Sequence, residues 1–124
     1  MHTDRPLRLL VVDDHVDGVD SLADLLNVLG WVTERAYSGS QAIALAGTFR
    51  PDIVVVDINM PGMDGFETAR RISHIASLPS LRIVGYSGSA DAPLVRSTGS
   101  ELIECIVSKG APLQVLLDVL GKQP

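Results

Sequence analysis

The sequence predicts an α/β fold in which helices cover both faces of a parallel sheet. Short, continuous apolar runs alternate with segments whose apolar residues recur at helical spacing. Strands that are buried on both faces have such apolar runs, and parallel strands need a crossover helix between them. Five β–α units fit into the 124 residues, so we expect a single domain over residues 1–124.

The first β–α units follow this alternation closely. Leu7–Val12 is a compact apolar run, which predicts a strand buried on both faces. Apolar residues recur at helical spacing over Val19–Leu29, and Gly30 then suits a helix C-terminus. Val32–Ala36 predicts a short second strand. Ser40 is the expected N-cap of the second helix, because its hydroxyl can accept a hydrogen bond from a first-turn amide.

The middle of the chain predicts a third β–α unit and a fourth strand. Ile53–Val56 is another apolar run, and Asp57 follows it directly. Asp64–Ile75 carries its apolar residues on one side of a helix, with Asp64 in the position of the N-cap. Leu81–Tyr86 predicts the fourth strand, which a Ser-Gly-Ser turn sequence ends.

The C-terminal part predicts two helices and the fifth strand. The segment Asp91–Gly99 has a poor apolar pattern and predicts only a weak helix. Leu102–Val107 predicts a strand that would bury Cys105, the single cysteine, as a small apolar side chain. Leu113–Leu120 is rich in apolar residues and predicts the closing helix.

Composition excludes several classes of function. The net charge is −5 and the tightest basic pair is Arg70–Arg71, whereas binding to nucleic acid needs clustered lysines and arginines. The longest apolar runs are far shorter than the ~20 residues of a membrane helix, and residues 1–6 begin no signal peptide. We therefore expect a cytoplasmic domain that neither binds nucleic acid directly nor inserts into a membrane.

Polar residues follow four of the predicted strands at the edge where parallel α/β sheets bind ligands. These residues are Asp13, Asp14, Asp57, Ser87 and Lys109. Carboxylates within ~4–6 Å raise one another's pKa, and Mg2+, which prefers carboxylate and water oxygens, relieves that repulsion. Lys109 adds a second cation and Ser87 a hydrogen-bond donor. The set predicts a pocket for a phosphoryl group, with one carboxylate as nucleophile.

The sequence around these residues resembles the response-regulator receiver (CheY-like) domains of two-component signal transduction. Val11–Asp14 ends the first strand as it does in that family, and Asp57–Gly65 matches the family's phosphorylation loop, D-x-x-M-P-x-M-D-G. Ser87 and Lys109 stand at the family's Ser/Thr and lysine positions. The resemblance implies a flavodoxin-like, doubly wound (βα)5 three-layer sandwich with five parallel strands in the order 2-1-3-4-5.

The resemblance also implies how the carboxylates act. Asp57 would be the phosphoacceptor and would take its phosphoryl group from a histidine of a histidine kinase or a histidine phosphotransfer protein. Asp14 and Asp57 would bind Mg2+ directly together with the backbone carbonyl of Asn59. Asp13 would act on the metal mainly through water.

Two further roles and two departures follow from the same resemblance. Ser87 would bind a phosphoryl oxygen, and Lys109 would pair with Asp57 and then with its phosphate. Ile106 stands where the family usually has an aromatic residue, and Gly110 replaces the proline that usually follows the lysine. The resemblance therefore predicts how Asp57 accepts phosphate. It predicts less directly how phosphorylation changes the surface that an output partner binds.

The sequence can be compared with three classes of function. The first is a phosphorelay receiver, free-standing or cut from a hybrid histidine kinase or longer regulator, which accepts and loses phosphate autocatalytically and regulates a partner or an output domain. The second is a receiver-like interaction module that acts without phosphorylation, which Ile106 and Gly110 favour. The third, a Mg2+ phosphatase with an aspartate nucleophile, would need a D-x-D pattern where Asp13 and Asp14 are adjacent. The complete set of Asp13, Asp14, Asp57, Ser87 and Lys109 favours the phosphorelay receiver. Such a receiver is not an enzyme with a separate substrate.

Overall fold

The computed structural model describes residues 6–75, 78 and 80–121, which form one sheet with helices on both faces. The strands are β1 (Arg8–Val12), β2 (Val32–Ala36), β3 (Ile53–Asp57), β4 (Arg82–Ser87), β5 (Leu94–Val95) and β6 (Cys105–Ser108). The helices are α1 (Val16–Val28), α2 (Gly39–Phe49), α3 (Gly65–Ser73) and α4 (Leu113–Leu120). None of these helices has both the length and the apolar character needed to cross a membrane.

The sheet has the strand order β2-β1-β3-β4-β6-β5. All neighbours pair in parallel except β5, which runs antiparallel to β6 at the edge. The doubly wound fold is therefore confirmed, and its parallel strands keep the predicted order when β6 is counted as the fifth. The order reverses between β1 and β3, so the carboxyl ends of these two strands border the crevice where such sheets bind ligands.

The segment after β4 differs from the prediction of a weak helix over Asp91–Gly99. Leu94 and Val95 instead form the antiparallel edge strand, so the described residues contain four helices and six strands. Pro93 cannot donate a backbone hydrogen bond, which disfavours a helix interior and suits an edge strand. The Thr98 hydroxyl lies 2.9 Å from each of two backbone carbonyl oxygens further along the chain that can accept its hydrogen, which holds this segment in a non-helical path.

Two predicted boundaries are also corrected. The N-cap of α2 is Ser38 rather than Ser40, because the Ser38 hydroxyl accepts a hydrogen bond from a first-turn amide. The last strand begins at Cys105 rather than Leu102, whose side chain is exposed. Asp64 caps α3 as predicted, and the remaining elements are confirmed with boundaries that differ by a few residues.

The sheet separates two apolar layers. Helices α2 and α3 cover one face, and α1 and α4 cover the other. Because alternate residues of a strand point to opposite faces, Leu10 and Val12 enter the first layer while Leu9 and Val11 enter the second. All residues of β3 are buried, and Cys105 is fully buried as predicted. This packing fixes the carboxyl ends of β1 and β3 relative to each other.

Candidate functional site

Three of the predicted site residues are in direct contact at the carboxyl edge of the sheet. Asp13 follows β1, Asp57 ends β3, and Lys109 follows β6. The Lys109 Nζ atom lies 2.7 Å from Asp13 Oδ2 and 3.3 Å from Asp57 Oδ2. Asp13 and Asp57 are only 7% and 3% exposed. Two buried carboxylates therefore share one ammonium, and the cluster keeps an excess of negative charge.

This sharing affects the pKa of each group differently. Burial raises the pKa of Asp57, and the nearby Asp13 charge adds to the rise against the opposing effects of the Asn59 amide and Lys109. Burial also opposes ionisation of Asp13, but hydrogen bonds from Lys109 and His15 outweigh it and lower the Asp13 pKa. Burial disfavours the Lys109 ammonium, yet its two carboxylate partners raise the Lys109 pKa. Asp57 is thus the carboxylate that would gain most from a further cation.

Asp14 adds to the same cluster an oxygen that lacks a hydrogen bond. Its Oδ1 atom is buried and has no hydrogen-bond partner among the residues that the structure describes, and the His15 Nδ1 atom lies 3.6 Å from it, beyond hydrogen-bond distance. One ligand atom each from Asp13, Asp14, His15 and Asp57 lie within 4.8 Å of one another. A buried carboxylate oxygen without a donor is costly, and a cation would satisfy it. Because three of the four groups are carboxylates, the donor set fits Mg2+, a hard cation that prefers oxygen ligands.

His15 lies beside the acidic pair and is exposed. Its side chain is 72% exposed, and its ring Nδ1 atom lies 3.0 Å from Asp13 Oδ1. The backbone amide of His15 donates to the same oxygen. The hydrogen bond with Asp13 raises the pKa of His15, which favours an imidazolium that cannot bind a metal. His15 therefore helps to hold Asp13 in place.

The loop after β3 brings Asn59 against the end of β4. The Asn59 backbone amide donates to Asp57 Oδ1 at 3.1 Å. The Asn59 side-chain Nδ2 donates to Ser89 Oγ at 3.0 Å and lies 3.5 Å from Ser87 Oγ, to which the Ser89 amide also donates. None of these contacts uses the Asn59 carbonyl oxygen, the atom predicted to bind Mg2+. The structure thus adds Ser89, which the sequence marked only as a turn residue, as a group that orients Ser87.

Gly65 determines the path of this loop, because it packs directly against the backbone of β3. A Cβ atom on Gly65 would lie 2.8 Å from Ile58 Cα and would also collide with the Asp57 carbonyl oxygen. We expect Gly65→Ala to lower the free energy of unfolding by about 1–3 kcal/mol, as overpacking does elsewhere. Gly47→Ala in α2 is the control, since its Cβ meets nothing and should stabilise the helix by roughly 0.5–1 kcal/mol. Equal unfolding free energies for the two variants in denaturant melts would contradict this account.

A doubly wound sheet with a buried acidic cluster at its β1–β3 crevice is the arrangement that receiver domains have. The chain belongs to that family, since the family model described as a response regulator receiver domain matches residues 9–120. The match covers every strand from β2 to β6 and all four helices, and it begins one residue inside β1. It confirms the resemblance on which the site roles were based.

Long sensor proteins are among the relatives of this chain. It is 37% identical over 103 residues to the virulence sensor protein BvgS of Bordetella bronchiseptica, which covers 77% of this chain and 8% of that protein. It is 32% identical over 114 residues to the sensor histidine kinase RcsC of Escherichia coli, covering 92% and 12%. The chain thus spans about a tenth of the length of these relatives.

Solved structures agree with the fold. The chemotaxis protein CheY4 of Vibrio cholerae matches 94% of this chain and 97% of its own chain, with a TM-score of 0.81. The two sequences are only 22% identical, so this likeness is evidence for the arrangement of strands and helices alone.

Proposed function

We propose that this chain is the phosphoacceptor receiver domain of a two-component phosphorelay, in which Asp57 accepts a phosphoryl group from a histidine. The position of the Asp57 carboxylate carries the proposal. It is buried at the end of β3, its Oδ2 lies 3.3 Å from the Lys109 ammonium, and it clusters with the carboxylates of Asp13 and Asp14. Membership of the receiver family supports the same assignment.

In the proposed reaction an Asp57 oxygen attacks the phosphorus of a phosphohistidine. The new P–O bond forms as the P–N bond breaks, and the departing imidazole takes up a proton. The Lys109 ammonium offsets negative charge on the phosphoryl oxygens. The Ser87 hydroxyl, oriented by Asn59 and Ser89, donates to one of those oxygens.

Asp13, Asp14 and Asp57 are the side chains that we propose to hold Mg2+, together with the backbone carbonyl of Asn59. When bound, Mg2+ would supply positive charge next to the transferring phosphoryl group. The buried Oδ1 atom of Asp14 supports this proposal, because it has no hydrogen-bond partner among the described residues to replace its lost hydration.

The proposed donor is a histidine kinase or a histidine phosphotransfer protein, and the phosphorylated domain would regulate a partner or an attached output domain. The two relatives are a sensor protein and a sensor histidine kinase by name, which supports a place in a hybrid kinase. A cytoplasmic location suits this donor. The reaction has no separate substrate, so we propose autocatalytic acceptance and loss of phosphate rather than an enzyme activity. The net charge of −5 disfavours direct binding to nucleic acid.

Intact-mass measurement tests this function. The protein is incubated with phosphoramidate, a small phosphodonor, in the presence of Mg2+ or of a chelator. We expect the mass gain of one phosphoryl group with Mg2+ only, because the buried carboxylates need the cation to bring an anionic donor close. Borohydride reduction followed by peptide mapping should then locate the modification at Asp57 and not at Asp13 or Asp14.

The opposite result would favour the second candidate function. If the folded protein binds Mg2+ but gains no mass from the donor, the phosphoacceptor assignment is contradicted. A receiver-like interaction module that acts without phosphorylation would then explain the fold better. Ile106 and Gly110, which depart from the family pattern near the lysine, are the observations that favour this candidate.

A further inference from the structure

The aromatic ring of Tyr86 lies next to the ammonium of Lys109. The Lys109 Nζ atom is 5.8 Å from the ring centroid, within the range of a cation–π contact. Tyr86 pairs in register with Asp57 of β3, and its carbonyl accepts the amide hydrogen of Ile58. Tyr86 therefore contacts both β3, the strand that carries Asp57, and the Lys109 ammonium that pairs with Asp57.

A cavity of about 290 Å³ opens on the α1 side of this ring. Tyr86 and Lys109 line it together with apolar side chains such as Val19 and Leu22, and Asp13 lies at its wall. Lysine has a long and flexible stem, so the ammonium has space to move. Lys109 is also closer to Asp13, at 2.7 Å, than to Asp57, at 3.3 Å. The Tyr86 ring is a third group, besides the two carboxylates, that holds the ammonium near Asp57.

We propose that Tyr86 is a positioning residue for phosphoryl acceptance, whose aromatic face holds the Lys109 ammonium within reach of Asp57. The inference rests on the proposed function of Asp57. The negative face of the ring attracts the ammonium, and the ring itself is a wall of the cavity. Without the ring, Lys109 lies closer to Asp13, and its ammonium offsets less of the negative charge on the phosphoryl oxygens. Tyr86 does not touch the reacting atoms and acts only through Lys109.

Substitutions at the two tyrosines of the chain provide the first test. The rate of phosphorylation by phosphoramidate is compared for wild type, Tyr86→Phe, Tyr86→Leu and the control Tyr37→Leu. Tyr37 instead donates to Asp20 at 2.6 Å and has no contact with Lys109 in the described hydrogen bonds and ring contacts. We expect Tyr86→Leu to react about fivefold more slowly and Tyr86→Phe to stay within about twofold of wild type, since phenylalanine keeps the π face. Tyr37→Leu should leave the rate unchanged.

A graded series separates the ring's electrostatics from its shape. Phenylalanine analogues with one, two and three ring fluorines are incorporated at position 86, which weakens the attraction for a cation while the ring size is nearly kept. The rate should fall stepwise with fluorination, and this series stays informative if Tyr86→Leu does not fold. A rate independent of fluorination, or Phe as slow as Leu, would overturn the inference. If wild type itself gains no phosphate, the proposed function of Asp57 is contradicted, and the inference that rests on it is contradicted too. If wild type reacts but the rate does not depend on the ring at position 86, only the inference is contradicted.

Discussion

The Asp57→Asn variant is expected to take up no phosphoryl group and to melt at a higher temperature than wild type at neutral pH. The amide is not a nucleophile towards phosphorus, so the acceptor is lost. The same substitution removes one of two buried carboxylates that share the Lys109 ammonium. Lys109 keeps Asp13 as its partner at 2.7 Å, so the ammonium is not left unpaired. We expect the melting temperature to rise by about 2–5 °C.

The pH dependence of this stabilisation follows from the raised pKa of Asp57. A carboxyl whose pKa is higher in the folded state binds its proton more tightly there, so its ionisation costs stability. This cost is absent below the ordinary pKa of 3.8, grows as the pH rises through the folded pKa, and is complete above it. The advantage of Asp57→Asn should therefore grow as the pH rises through the raised pKa of Asp57 and disappear in acid below 3.8.

Thermal melts across this pH range check the expected stabilisation of Asp57→Asn, and intact-mass measurements check its loss of phosphate uptake. Asp91→Asn is the matched control, because Asp91 is an exposed carboxylate outside the acidic cluster. It should change neither the melting temperature nor the mass gain. Phosphate uptake by Asp57→Asn would contradict the acceptor assignment and point to Asp13 or Asp14. An unchanged or lower melting temperature at neutral pH would contradict the repulsion between the two buried carboxylates.

The candidate site was predictable because its residues directly follow or end buried apolar runs. In a parallel sheet the carboxyl ends of strands meet at one edge, so Asp13 after β1 and Asp57 at the end of β3 must lie near each other. The same reasoning placed Ser87 and Lys109 at that edge, and the loop motif from Asp57 to Gly65 identified the family. These inferences need only the strand positions and the register of a parallel sheet.

Features that depend on contacts between distant parts of the chain were not predictable in the same way. The edge strand β5 forms because Leu94 and Val95 pair with β6, and a local apolar pattern carries no information about such pairing. The preference of Lys109 for Asp13 over Asp57 is a matter of tenths of an ångström. Tyr86 looks like an ordinary strand residue until its ring is seen beside an ammonium that lies more than twenty positions away.

Tyr86, the aromatic residue beside Lys109, lies on the opposite face of the sheet from Ile106. Ile106, at the family's aromatic position, packs with Ile58 above Gly85, where a Cβ atom would lie within 2.8 Å of Ile58 and 2.9 Å of Ile106. That contact belongs to the layer covered by α2 and α3. Tyr86 belongs instead to the layer covered by α1 and α4, next to the cavity. In this chain the aromatic ring beside Lys109 therefore lies on the face of the sheet that α1 covers.

Removal of the Lys109 ammonium is the second large effect that we expect. Lys109→Met keeps most of the length of the stem but leaves Asp13 and Asp57 without their shared cation. Phosphorylation by phosphoramidate should slow by about 10²–10³-fold, the usual cost of removing one charge-stabilising group from a transition state. Mg2+ should bind at least as tightly as in wild type, because the ammonium no longer competes with it for the two carboxylates.

Separate measurement of Mg2+ affinity and phosphorylation rate makes this prediction decisive. Isothermal titration calorimetry with Mg2+ gives the affinity, and time-resolved intact mass gives the rate at saturating metal. Lys122→Met, at the only other lysine of the chain, is the control and should match wild type in both. A variant that binds Mg2+ normally yet reacts at the wild-type rate would exclude Lys109 from the reaction. Loss of Mg2+ binding would instead mean that the ammonium holds the carboxylates in place for the metal, and the slow reaction would follow from that loss alone.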